Sequence, residues 1–101
     1  MIIDEEVKKV IEGSAFLSLV TVNADGTPHP IIAGKGEASG DTVVFGIYRM
    51  EETRRNLLKN KNAWLVGATK TDGPKGFRLT GTAEARDKQL VFTAAKADKL
   101  I

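Results

Sequence analysis

The chain has 101 residues, of which 42% are hydrophobic, and 15 basic against 13 acidic side chains give it a formal net charge of +2. That length allows one domain with a sizeable core and is too short for two. With no cysteine and a single histidine, the sequence excludes disulfides and thiolate metal sites and makes a zinc site unexpected. The mild, dispersed positive charge is weak evidence for a nucleic-acid partner.

Signals for membrane insertion or secretion are not visible in the sequence. No apolar run approaches the ~20 residues that a membrane-spanning helix needs. The first residues, Met1–Glu6, end in three acidic side chains, whereas a secretory signal peptide begins with basic ones. The sequence therefore predicts a soluble, cytoplasmic protein without a membrane partner.

The N-terminal segment predicts a short amphipathic helix followed by a β-hairpin. Asp4 is a suitable N-cap and Gly13 a suitable end of the helix. Between them, apolar residues recur at helical spacing: Val7, Val10 and Ile11. The segment Ala15–Asn23 is apolar on both alternations, so it predicts a strand that is covered on both faces. The following Asn23–Gly26 predicts the hairpin turn.

The next segment, Thr27–Ala38, predicts a second strand with one unusual face. Pro28 and Pro30 confine its beginning to a sheet edge, because proline donates no hydrogen bond to a neighbouring strand. Gly34 and Gly36 then leave one face of the strand without side chains. Either a flat ligand such as a flavin ring lies against this face, or the sheet bends there at a barrel corner. The pattern alone leaves both interpretations open.

A strand, a short loop and a short helix are predicted over Val43–Asn60. The start of a helix offers unpaired N–H groups and a positive dipole end, which together can bind a phosphate. Helical spacing places Thr53 and Arg54 on the face that should meet the core, where a hydroxyl and a guanidinium suit an anion. Glu51 and Glu52 argue for the alternative, an ordinary helix whose acidic first turn complements its own dipole.

The rest of the chain predicts two more strands and a final helix. The strands are Ala63–Lys70 and Gly76–Ala85, the second with clean alternation. Asp87 is a suitable N-cap for a last helix that holds the apolar residues Leu90, Val91, Ala94, Ala95 and Ala97. The residues therefore predict a small antiparallel barrel of five strands, with one inserted helix and a helix at each end.

Four motifs, in order and with compatible spacing, resemble the pyridoxamine 5'-phosphate oxidase-like, FMN-binding split-barrel superfamily. They cover nearly the whole chain: the run Asp25–Pro30, the strand Val43–Ile47, the segment Met50–Asn60 with Thr53, Asn56 and Leu57, and the run Lys75–Glu84. Each motif is loose alone, but their succession is fairly specific. The resemblance implies a mainly β, small antiparallel split barrel over residues 1–101, a single domain with short flanking and inserted helices.

The resemblance also implies a homodimer with FMN near the subunit interface. The flavin ring is expected against the second strand, and the phosphate around the inserted helix, where Thr53 matches the family's phosphate-contacting threonine. The implied cofactor-binding residues are Ile32, Ala33, Gly34 and Lys35 for the first segment, and Tyr48, Arg49, Met50, Thr53, Arg54 and Asn56 for the second.

Two features depart from the family's pattern. Glu52 occupies a position that is commonly lysine in relatives, so the phosphate would need Arg49, Arg54, Arg55 or Lys35 to supply that charge. Relatives also carry a further strand after the last helix, whereas this chain ends there, which predicts that a strand is absent.

The function implied is that of an FMN-binding flavoprotein in redox chemistry: an electron carrier, a flavin reductase or an oxidase. No residue stands out as a general acid or base, because one histidine allows no catalytic triad. The alternatives are a deazaflavin or haem in the same fold, or a relative that binds no cofactor. A nucleic-acid-binding barrel is disfavoured, since it needs stacking aromatics in a basic groove and most of this chain's aromatics occupy expected core positions.

Overall fold

The computed structural model describes the whole chain, Met1–Ile101, as two helices and seven strands. In chain order they are α1 (Glu5–Gly13), β1 (Leu17–Val22), β2 (Pro28–Ala33), β3 (Gly36–Ser39), β4 (Thr42–Gly46), α2 (Glu51–Lys59), β5 (Asn62–Thr69), β6 (Lys75–Ala85) and β7 (Gln89–Lys99). All strand pairs are antiparallel, in the order β2-β1-β5-β6-β7-β4-β3. The sheet curls into a half-barrel, which confirms the predicted mainly β, antiparallel split barrel with an inserted helix.

Helix α1 forms as the sequence predicts and packs on the inside of the curled sheet. The Asp4 carboxylate accepts a hydrogen bond of 2.9 Å from the Val7 N–H, which satisfies one of the free donors at the helix start. The apolar stripe of α1 is buried with the large inward side chains of the strands, among them Leu17, Leu65 and Phe92. Neither helix is long and apolar enough to cross a membrane.

Strand β1 was expected to be covered on both faces, and the structure shows a difference between them. Its inward side chains, such as Leu17 and Leu19, are fully buried, whereas the outward Val20 and Val22 are only half-buried. The apolar outer alternation of β1 is therefore not satisfied by packing within this chain.

The prediction of one strand over Thr27–Ala38 was wrong, because the chain breaks after Ala33 and resumes at Gly36 as β3. Ala33 and Gly36 are both buried, although they are an odd number of residues apart, so Gly34 and Lys35 make a bend that a straight strand could not contain. A Cβ at Gly36 would lie 2.8 Å from Leu17 Cδ1 and 2.9 Å from Val43 Cγ1. Gly36 therefore serves core packing at a barrel corner and not a ligand.

The predicted C-terminal helix was also wrong, since residues 89–99 form β7, which pairs with both β4 and β6. Leu90 and Ala94 face the core, but the register with β6 shifts at Gly81, which pairs with Ala94 while Thr80 pairs with Lys96. The shift is a β-bulge, which inserts one unpaired residue, Ala95. The further strand that relatives carry was expected to be absent from this chain. Residues 89–99, predicted as the last helix, form that final strand instead.

Candidate functional site

The loop from β4 to α2 has an unusual backbone. Arg49 and Met50 both have left-handed conformations, with φ of 63° and 52°. Such a conformation costs roughly 1–2 kcal/mol for a residue with a side chain. Met50 is the N-cap residue of α2 and provides no side-chain hydrogen bond to the helix. The helix therefore begins abruptly and without the polar cap that Asp4 gives to α1.

The first turn of α2 leaves its backbone donors free. The first N–H to find a carbonyl partner is that of Arg54, which donates to the Met50 oxygen at 3.0 Å. The N–H groups of Glu51, Glu52 and Thr53 donate to no backbone or side-chain acceptor. Together with the helix dipole, they make the start of α2 attractive to an anion.

Thr53 adds an unpaired donor at the same place. The residue is fully buried, and its Oγ1 has no hydrogen-bond partner. Thr53 is the third residue of α2, and side chains on a helix lean toward its N-terminus. An unsatisfied buried hydroxyl costs about 1–3 kcal/mol, so the structure keeps an unfavourable group where an anion would satisfy it.

The positive side chains around the helix start have different partners. The Arg54 guanidinium donates to the carbonyls of Arg49, Arg86 and Asp87 at 2.8, 2.8 and 2.6 Å. Arg55 forms a 2.8 Å ion pair with Glu52, in which both side chains are well exposed. The Arg49 guanidinium carbon lies 5.5 Å from the centre of the exposed Tyr48 ring and forms no ion pair. Of the three arginines, Arg49 is therefore the one whose side chain has no hydrogen-bond or ion-pair partner.

Asn56 holds α2 on the β1–β2 hairpin. It is buried, and its side-chain N–H₂ donates to Thr21 Oγ1 at 3.1 Å and to Asn23 Oδ1 at 3.0 Å. Both amide protons are thereby used within the protein. Asn56, one helical turn after Thr53, therefore attaches α2 to the β1–β2 hairpin.

The two predicted cofactor segments are neighbours in the fold. Gly36 at the start of β3 pairs with Phe45 near the end of β4, which places the bend before β3 beside the chain that continues to Tyr48. Within that bend, a Cβ at Gly34 would have nothing within 4 Å, and Ile32 is 65% exposed. Ala33 by contrast is buried in the core, and Lys35 Nζ lies 3.4 Å from the Glu12 carbonyl.

A wide depression of about 510 Å³ lies between the β1–β2 hairpin and the first turn of α2, lined by Asn23, Ala24, Asp25, His29 and Glu52. Hydrogen bonds from the Thr27 hydroxyl and the Thr27 N–H lower the pKa of the Asp25 carboxyl from its usual range. His29 is the single histidine of the chain. Its register opposite Thr21, which Asn56 contacts, is what brings it to this rim. A cavity of about 270 Å³ between α1 and the β5–β6 hairpin shares none of these residues.

The comparison with protein-family models decides the family. The model described as "Pyridoxamine 5'-phosphate oxidase" matches residues 3–99. The chain belongs to this family. The resemblance of the four motifs is thereby confirmed, whereas no curated protein matches the chain.

Solved structures of family-like proteins share the fold at low sequence identity. A variant of HupZ from Group A Streptococcus superposes with a TM-score of 0.82 at 18% identity, covering 99% of this chain and 100% of that one. An FMN-binding protein from Syntrophomonas wolfei gives 0.80 at 17% identity, covering 96% and 85%. A protein described as an F420 reductase gives 0.74 at 14% identity, covering 90% and 94%. At such identity, these likenesses establish the fold alone.

Cofactor binding by the predicted site residues stays a prediction. The structure places Ile32 near the end of β2, and Gly34 and Lys35 in the open bend that follows. The adjoining loop and helix hold Tyr48, Arg49, Met50, Thr53, Arg54 and Asn56. Three of these side chains have donors without a hydrogen-bond partner: Tyr48 and Arg49 on the surface and the buried Thr53.

Proposed function

We propose that this protein binds FMN, with the flavin phosphate at the start of α2 and the ring against the bend that precedes β3. The observation that carries the proposal is the buried Thr53 hydroxyl, which has no partner and lies at a helix start with free N–H groups. A phosphate oxygen accepts strong hydrogen bonds from both kinds of donor. The protein without ligand thus already has unpaired hydrogen-bond donors that a phosphate could use.

The charges and the open bend fit the same ligand. Arg49 keeps its guanidinium free beside the helix start, and Arg55 offsets the negative charge of Glu52 through their ion pair. The space over Gly34, with no atom within 4 Å of a Cβ placed there, would admit a flat ring. The printed description of one similar structure as an FMN-binding protein agrees with this choice of ligand.

A bound flavin would supply redox chemistry, while the polypeptide holds and orients it. We therefore propose a role as an electron carrier or a flavin-dependent oxidoreductase, in the cytoplasm as the sequence predicts. In this role the chain's own contribution is binding: the α2 start for the phosphate, and the bend and the exposed Ile32 for the ring.

Titration of the protein with FMN and with riboflavin, followed by quenching of flavin fluorescence, tests this proposal. The two ligands differ by the phosphate alone. We expect FMN to bind at least tenfold more tightly than riboflavin, a difference of about 1.4 kcal/mol. Equal affinities for FMN and riboflavin would mean that the protein has no phosphate site. Binding of neither ligand would overturn the proposal, and titration with haem would be the next measurement.

Replacing Glu52 with lysine is expected to strengthen FMN binding by about three- to tenfold. The change removes a carboxylate from the helix start and introduces a positive charge at the position where relatives commonly have lysine. The gain is moderate because the Glu52 side chain is 43% exposed and water screens its charge. Fluorescence titration with both flavins measures the effect, and riboflavin affinity should stay within twofold. A weakened FMN complex would contradict a phosphate beside residue 52.

We further propose that the protein is a homodimer that uses the outer face of β2, β1 and β5. Ile32 on this face is 65% exposed, and Phe16, directly before β1, is 68% exposed. Their neighbours across the strands are also apolar and at most half-buried: Val20, Val22, Pro28, Pro30, Trp64 and Val66. Apart from Ser18, which lies between Ile32 and Val66, this surface is apolar. An apolar surface of this kind marks an interaction site, and the site would place a second subunit beside the proposed ring position at Ile32.

Sedimentation equilibrium of Ile32→Lys tests the dimer. A charge on the apolar face should raise the dimer dissociation constant about tenfold or more, because an unpaired ammonium would be buried at the interface. Leu58→Lys is the matched control, since Leu58 is 87% exposed on α2 and lies outside this face. A monomeric wild-type protein, or equal effects of the two variants, would contradict the proposed interface.

A deazaflavin is the second candidate ligand, because one similar structure is described as an F420 reductase. Titration with F420 beside FMN separates the two. Tighter binding of F420 than of FMN would favour the deazaflavin.

A further inference from the structure

The left-handed backbone at Arg49 and Met50 needs a restraint. Two consecutive residues with side chains rarely adopt this conformation, and they persist in it only where the surrounding structure enforces it. Met50 contributes partly, since its side chain packs against the core. Arg49 has no such packing, because its side chain lies on the surface with Tyr48. The restraint on Arg49 must therefore act on its backbone.

Arg54 provides that restraint. Its Nε donates to the Arg49 carbonyl at 2.8 Å, while Nη1 and Nη2 donate to the carbonyls of Arg86 and Asp87 at 2.8 and 2.6 Å. Arg86 and Asp87 belong to the turn between β6 and β7, which is itself fixed by the Arg86 N–H to Gln89 bond of 2.8 Å. One planar side chain thus joins the loop to the β6–β7 turn.

The same turn holds the loop at a second point. The Ile47 N–H donates to the Lys88 carbonyl at 3.0 Å, just before Tyr48. The loop is therefore attached to the β6–β7 turn at its beginning by a backbone bond and at its end by Arg54. Between these attachments lie the two residues with positive φ and the side chain of Arg49.

We propose that Arg54 is a positioning residue for the phosphate site at the start of α2, and not a direct phosphate ligand. The proposal rests on the proposed function. By holding the Arg49 carbonyl, Arg54 keeps the loop in the conformation that leaves the first-turn N–H groups uncovered and the Arg49 guanidinium free. Lysine cannot replace it, because a single ammonium cannot present the planar, fixed set of donors that reaches three separate carbonyls.

Arg54→Lys, titrated with FMN and with riboflavin, tests the inference. We expect the preference for FMN over riboflavin to fall at least fivefold, while riboflavin affinity stays within twofold of wild type. Arg78→Lys is the matched control, since Arg78 on β6 pairs with Asp98 on β7, outside the loop and α2, and the change conserves its charge. Its preference should remain within twofold. Competition by inorganic phosphate against FMN measures the same site independently. In Arg54→Lys, the affinity for inorganic phosphate should fall together with the preference for FMN.

Each outcome decides a different point. No preference for FMN in the wild-type protein overturns the proposed function and the role of Arg54 with it. A wild-type preference that Arg54→Lys retains overturns only the positioning role. Loss of both flavins in equal proportion, with a lowered urea midpoint, would mean that Arg54 has a general structural role, and this also overturns the proposal. If Arg54→Lys does not fold, Arg54→Gln at 10 °C is judged by the same criteria.

Discussion

Replacement of Gly81 by alanine is expected to destabilise the protein by about 3 kcal/mol or more, a large part of the ~5–15 kcal/mol that holds a domain folded. A Cβ at this position would overlap the Thr93 carbonyl oxygen and lie 2.9 Å from the Thr93 carbonyl carbon. Both are backbone atoms of the paired strand, which cannot rotate away as a side chain can. The strands β6 and β7 would have to separate at the bulge.

Urea unfolding of Gly81→Ala measures the loss, and Gly46→Ala is the control. At Gly46, in β4, the nearest heavy atom to an added Cβ is the Lys88 carbonyl oxygen at 3.9 Å, an ordinary contact. The control should therefore change stability by no more than about 0.5–1 kcal/mol. A Gly81→Ala protein with stability within about 1 kcal/mol of wild type would contradict the described bulge.

Thr53→Val is expected to act in opposite directions on stability and on ligand binding. Valine has nearly the shape of threonine and removes only the hydroxyl, which is buried and unpaired. The protein without ligand should therefore keep its stability or gain up to about 1 kcal/mol. FMN binding should weaken by roughly 10- to 150-fold, because a hydrogen bond to a charged group contributes about 1.5–3 kcal/mol. Riboflavin binding should hardly change.

Thr21→Val serves as the control for this pair of measurements. Thr21 is equally buried, but its hydroxyl accepts a hydrogen bond of 3.1 Å from Asn56. Its loss leaves one N–H of the buried Asn56 amide without a partner and should cost about 1–3 kcal/mol in urea unfolding. If Thr53→Val were destabilised as much as Thr21→Val, the hydroxyl would have a partner in the protein and no need for a ligand.

Much of the fold could be predicted from local patterns in the sequence. Helix α1 and the β1–β2 hairpin follow from Asp4, Gly13 and the turn that ends at Gly26, because each feature depends on residues close in the chain. β7 could not be predicted in this way. Its bulge at Ala95 changes the spacing of the inward residues from two to three, between Ala94 and Ala97, and three is a helical spacing.

The candidate site was predictable in its segments but not in its contacts. The resemblance indicated Thr53 and the residues around it as a phosphate site. The structure adds that the Thr53 hydroxyl is buried and has no hydrogen-bond partner. The bonds of Arg54 reach Arg86 and Asp87, more than thirty residues away in sequence, so no local pattern could reveal them. The two glycines also differ: Gly36 is packed in the core, and Gly34 is open.

The central claim is that the start of α2 binds the phosphate of a flavin. Amide ¹H–¹⁵N correlation spectra, recorded during titration with FMN and with riboflavin, test it most directly. We predict that FMN shifts the amide signals of Glu51, Glu52 and Thr53, whose N–H groups are free, and that riboflavin leaves these three unmoved. FMN binding that leaves all three signals in place would contradict the claim.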